Sequence, residues 1–108
     1  MIEIMKTSEA TFQQQVLQAA RPVWVDFTAT WCQPCKQLEP LVKELAEEWG
    51  SMLTVMKRDV EDSPQIAMDY QVRGGPTLIL FKDGKAVERV TGYQPKDRLQ
   101  RKFSPHLS

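Results

Sequence analysis

The stretch Val23-Trp24-Val25-Asp26-Phe27, followed after a short gap by Trp31-Cys32-Gln33-Pro34-Cys35-Lys36, decides the fold. The first run is apolar on nearly every position, the signature of a strand buried on both faces in a parallel sheet. The second run holds both cysteines of the chain, two residues apart, where the strand gives way to a helix. Thiols at i and i+3 of a first helical turn close into a disulfide with little backbone movement. Helix N-terminal N–H groups point at the first sulfur and favour its thiolate. Cys32 is therefore read as the nucleophile and Cys35 as the thiol that closes the ring.

The rest of the chain is arranged around this junction. The helix is expected from about Cys32 to Trp49, with Cys35, Leu38, Val42, Leu45, Ala46 and Trp49 on one face. Pro34 fits its first turn, where N–H groups lack helical partners; Pro40 lies inside it and is expected to kink it; Gly50 stops it. Upstream, Ile2 to Met5 reads as a short strand. Ser8 is placed to cap a helix through Ala20, with Phe12, Val16, Leu17 and Ala20 at helical spacing. Downstream come a strand over Leu53 to Val60 and a shorter helix from a Ser63 cap to about Tyr70. Thr77-Leu78-Ile79-Leu80-Phe81 and Ala86 to Thr91 flank Lys82-Asp83-Gly84-Lys85, a two-residue hairpin signal. A last helix begins near Pro95, turns Leu99 and Phe103 inward and is cut short by Pro105. The order βαβαβαββα implies one α/β domain over 1–108, a mixed sheet with helices on both faces.

Composition narrows the function. Of 108 residues, 42% are hydrophobic and 26% charged, a globular balance. The formal net charge of +0 removes the basic footprint of a nucleic-acid binder. No apolar run reaches the roughly 20 residues a membrane helix needs. The start, Met1-Ile2-Glu3-Ile4-Met5-Lys6, lacks the basic flank and apolar core of a secretion signal, so a cytoplasmic protein is expected. In that compartment a lone Cys-x-x-Cys is a catalytic or metal-binding signal before it is a structural staple. Zinc requires about four ligands, and the other good candidate is His106, in the far tail; no metal site is expected.

Asp26 interrupts an apolar strand, where a carboxylate is costly. Burial is expected to raise its pKa and make it a proton acceptor near neutrality. The plainer alternative is an aspartate satisfied by backbone or solvent. Lys57, taken alone, is a strand lysine, and Lys36 an exposed one.

Over essentially its whole length the chain resembles the thioredoxin family. The resemblance rests on Val25-Asp26-Phe27, Trp31-Cys32-x-Pro34-Cys35-Lys36, Pro40, Lys57, Asp59, Pro64, Tyr70, Val72-Arg73-Gly74-x-Pro76-Thr77, Phe81, Gly84 and Gly92. It implies the thioredoxin fold, a central mixed sheet of about five strands flanked by about four helices. It also implies a monomeric protein-disulfide reductase whose cofactor is no more than its own Cys32–Cys35 disulfide. NADPH supplies the electrons indirectly, through thioredoxin reductase. Ribonucleotide reductase, peroxiredoxins and methionine sulfoxide reductases are the implied acceptors.

Residue by residue, the resemblance makes Asp26 the acceptor of the Cys35 proton and Lys57 the group that tunes Asp26. Pro76 matches a proline with a cis peptide beside the sulfurs, whose neighbouring backbone pairs with an extended substrate. Trp31, Gln33, Pro34, Gly74, Gly75, Pro76, Gly92 and Tyr93 then line the substrate groove. The chain departs from the pattern in four places: Gln33 for a usual Gly, Thr28 for an aromatic, Gly75 for a β-branched residue, and Tyr93 for a small one. A changed partner preference with retained chemistry is the expectation. Two alternatives stay open on the sequence: an isomerase- or oxidase-like paralogue, and a non-catalytic binding or chaperone-like subunit.

Overall fold

Residues 5–6, 12–29, 31–62, 64–72 and 75–107 are described by a computed structural model of the protein. The strands are β1 (Met5–Lys6), β2 (Val23–Thr28), β3 (Thr54–Asp59), β4 (Thr77–Lys82) and β5 (Lys85–Thr91). They form one sheet in the order β1-β3-β2-β4-β5. β1 and β2 run parallel to β3, while β4 is antiparallel to both β2 and β5. Among the described residues, three α-helices, α1 (Gln33–Trp49), α2 (Pro64–Asp69) and α3 (Lys96–Phe103), a π-helical segment, Gln13–Leu17, and 3-10 turns at Gly50–Met52 and Ser104–His106 accompany the sheet.

The pleat of β2 sorts the core into two layers, because successive side chains leave a strand on opposite faces. Trp24 joins Leu38, Val42, Leu45, Leu78, Leu80, Leu99 and Phe103 beneath α1 and α3. Val23, Val25 and Phe27 join Phe12, Val16, Met56, Ile66, Ile79 and Phe81 on the other side. Edge-to-face rings tie each layer: Trp24 with Phe103, and Phe12 and Tyr70 with Phe81. Asp26 shares the Trp24 face, so its carboxylate is directed into the α1 layer.

Most expected boundaries hold to within a residue or two. α1 begins at Gln33, with Cys32 as its N-cap, and continues through Pro40 to Trp49. Gly50 ends it with φ +53°, its N–H on the Ala46 carbonyl, as a glycine stop should. At the hairpin both Asp83 (φ +54°) and Gly84 (φ +80°) are left-handed, the requirement of a type I′ turn.

One expectation fails. The first helix does not reach Ala20: it widens to π pitch over Gln13–Leu17 and stops, leaving Ala20 exposed. Pro22 disfavours helical geometry at Arg21 and the chain must enter β2. The wider turn keeps Phe12 and Val16 on the sheet. The β1 expectation is met at Met5 only, the strand continuing to Lys6. Residues 1–4 and the expected caps Ser8 and Ser63 lie outside the described residues.

Candidate active site

Cys32 and Cys35 are joined in a disulfide, with Cα atoms 5.3 Å apart. The site exists because β2 ends where α1 begins. Cys32 occupies the N-cap, and its Sγ accepts the Cys35 N–H at 3.2 Å. An N–H at the positive end of a helix dipole favours a thiolate over a thiol at the position it faces. Exposure does not separate the two sulfurs, since each cysteine is 4% exposed. Their difference lies in what surrounds them.

In front of the pair lies an open rim. Trp31 is 69% and Tyr93 46% exposed, and Gln33 and Pro34 are exposed as well. The Trp31 indole N–H donates to the Glu61 carboxylate on the loop after β3, which pins the ring beside Cys32. The Gly75–Pro76 peptide is cis, as the resemblance implied. A Cβ added to Gly75 would sit 2.5 Å from Cys35 Sγ and 3.2 Å from Cys32 Sγ. Glycine thus does more than remove a wall of the groove: it lets the backbone close directly on the disulfide. Gly92 (φ +86°) donates its N–H to the Pro76 carbonyl at 2.8 Å, bringing the Gly92-Tyr93 turn to the same rim. Trp31, Gln33 and Pro34 flank Cys32 in sequence, Gly75 closes on the sulfurs, and Gly92, next to Tyr93, is bonded to Pro76; Gly74 lies outside the described residues.

Behind the pair lies a cavity of about 210 Å³, lined by Thr28, Ala29, Cys35, Lys36, Glu39, Lys57 and Asp59. Thr28, where an aromatic was expected from the resemblance, forms part of its wall. Asp26 stands across from Lys57 in the β2–β3 register. It is 2% exposed, and its Oδ1 has no hydrogen-bond partner among the described residues. Burial, and after it the Glu39 carboxylate, push the Asp26 carboxyl from 3.8 up to about 7, against the pull of the Lys57 ammonium.

Lys57 itself is bound elsewhere. Its Nζ lies 2.8 Å from Glu39 Oε1, both side chains half-buried. Lys57 lowers the Asp26 pKa by its charge, in line with the expected tuning, while Glu39, which holds the ammonium, raises it. Glu39 was not singled out in the sequence. The signal was present: it lies four residues after Cys35, on the same helical face, but the apolar stripe of α1 obscured it. Glu61 left no comparable trace. Among the described residues no group of three or more His, Cys, Asp or Glu could hold a metal ion, and no helix is long and apolar enough to cross a membrane.

Known proteins are similar to the chain in sequence. The sequence model of the thioredoxin family matches residues 3–104. Thioredoxin of Mycobacterium bovis is 47% identical over 100 residues, covering 93% of this chain and 86% of its own. Thioredoxin 1 of Synechococcus elongatus is 41% identical over 93% of this chain and 94% of its own. A Staphylococcus aureus thioredoxin is 41% identical over 96% and 98%. With a cysteine pair at a helix N-terminus, a buried aspartate behind it and these matches, the chain belongs to the thioredoxin family, thiol-disulfide oxidoreductases that reduce protein disulfides through a redox-active cysteine pair and need no cofactor.

Proposed function

We propose that Cys32 attacks, Cys35 resolves and Asp26 takes the proton that resolution releases. The Cys32 thiolate attacks one sulfur of a substrate disulfide. The S–S bond breaks, one substrate sulfur leaves as thiolate, and a Cys32–substrate mixed disulfide forms. Cys35 then gives its proton to Asp26, directly or through water in the cavity, and attacks Cys32 Sγ. The second substrate sulfur leaves as thiolate, and the Cys32–Cys35 disulfide remains. Two electrons pass to the substrate, and thioredoxin reductase returns them. The observation that carries this reading is the asymmetry of the site: a helix N-terminus at Cys32, and at Cys35 a cavity whose lining includes Lys57, the register partner of the buried Asp26.

We infer further that the rim decides partners, with Gln33, Gly75 and Tyr93 narrowing the choice. Ribonucleotide reductase, peroxiredoxins and methionine sulfoxide reductases are the acceptor classes to assay, in a cytoplasmic setting and with the protein as a monomer. Lys57 acts on Asp26 by its charge.

The direction of electron flow is tested by the equilibrium potential of Cys32–Cys35 in a defined thiol buffer. About −270 mV is the reference value for thioredoxins as a class and roughly −180 mV that for protein disulfide isomerase. A potential near the former supports a reductase. One near the latter moves the protein to the isomerase or oxidase alternative.

A further inference from the structure

We propose that Glu39 is a positioning residue of the proton path: it holds the Lys57 ammonium in an ion pair at the cavity behind Cys35 and so keeps that cation from neutralising Asp26. The inference rests on the reading of Asp26 as the proton acceptor and adds to it the group that preserves that role.

The geometry supports the proposal from three sides. The Lys57–Glu39 pair, at 2.8 Å, joins β3 to α1 across the cavity that Cys35 lines. Asp26 is Lys57's register partner on β2, yet its Oδ1 is buried without a hydrogen bond. A lysine has a long stem and one mobile ammonium. Released from Glu39, it has the unsatisfied Oδ1 of its register partner Asp26 within the same layer. An Asp26–Lys57 pair would favour the ionised acid and weaken it as a base.

The other groups facing this region do not take Glu39's place. Lys36, also on α1, is exposed. Asp59, on β3, accepts the Glu61 N–H. β4 presents Leu78 opposite Asp26, and α3 presents Leu99 and Phe103. Lys96 of α3 is paired to Glu44 and Glu48, farther along α1.

The test is a carboxyl-¹³C NMR titration of the oxidised protein, in which no thiol titrates. The Asp26 resonance is assigned by its loss in Asp26→Asn. A midpoint near 7 is expected for the wild type. Glu39→Gln keeps the shape of the side chain and removes its charge. It should lower the midpoint by about one pH unit or more, the effect of an opposite charge at close range. Lys57→Met should raise the midpoint more in the Glu39→Gln background than in the wild type; equal rises in the two backgrounds would show Glu39 acting on Asp26 only by its own charge and would overturn the proposal. If Glu39→Gln leaves the midpoint in place while Asp26→Asn removes it, the proposal for Glu39 is overturned and the acceptor reading stands. If the wild-type Asp26 titrates near 4, both fall.

Discussion

The front and the back of the Cys32–Cys35 disulfide differ in almost every physical respect. The front is open, aromatic and formed mostly by loops and turns beside the first turn of α1, with Trp31 and Tyr93 exposed and backbone groups of Pro76 and Gly92 brought together. The back is charged and formed by regular elements: Asp26 on β2, Lys57 on β3 and Glu39 on α1. Loops adapt in sequence at little cost to the core, and strands and helices hold charges at fixed separations. One disulfide can thus serve changing partners with unchanging proton chemistry. The four departures fall on both sides: Gln33, Gly75 and Tyr93 lie in front, whereas Thr28 lines the cavity behind.

Loss of either sulfur is the most severe way to break the comparison. Cys32→Ser should abolish disulfide reduction, measured as turnover of a protein disulfide. A chaperone-like subunit would keep its binding after that change. The next largest effect belongs to the back. Asp26 binds its proton more tightly in the folded chain, so the fold loses stability as pH rises from about 4 through about 7. The displacement from 3.8 to about 7 corresponds to about 4 kcal/mol above that window. Asp26→Asn should therefore be far better off, relative to the wild type, at pH 8 than at pH 4. Denaturant melts at the two values measure this, and a pH-independent difference would contradict it. The same variant should slow turnover at neutral pH while remaining folded.

Much of this division was legible in the chain. The Cys-x-x-Cys junction, the aspartate in an apolar strand and the Asp-Gly hairpin each carry a local physical reason, and each stands where it was read. What escaped depended on one element's approach to another. Glu39 gains meaning only when α1 is laid on β3 and its carboxylate meets Lys57. Glu61 gains it only when the loop after β3 reaches the Trp31 indole. The tightness at Gly75 cannot be seen until the backbone of that turn is set against the sulfurs. The overlong first helix is the opposite error: its spacing was read as 3.6 up to Pro22, although the turn into β2 takes effect several residues earlier.

Two smaller effects sharpen the front of the comparison. Gly75→Val places a side chain against both sulfurs, and overpacking of this kind costs about 1–3 kcal/mol. Thermal melts of the oxidised protein should show the loss, with the Asp26 titration unchanged. Tyr93→Ala should lower kcat/KM for a protein disulfide several-fold, the scale of about 1 kcal/mol at an interface contact. Reduction of a small aromatic disulfide should be spared. Equal losses on both substrates would deny the rim a separate role.

The division of labour between the sulfurs is tested most directly by capture. Reduced Cys35→Ser and reduced Cys32→Ser are each incubated with a disulfide-bearing protein, and the adducts are mapped by mass spectrometry. The account predicts a stable mixed disulfide through Cys32 in the first variant and little or none in the second. Equal capture through Cys35 in the second variant, or no capture in the first while the wild type still turns over, would contradict it.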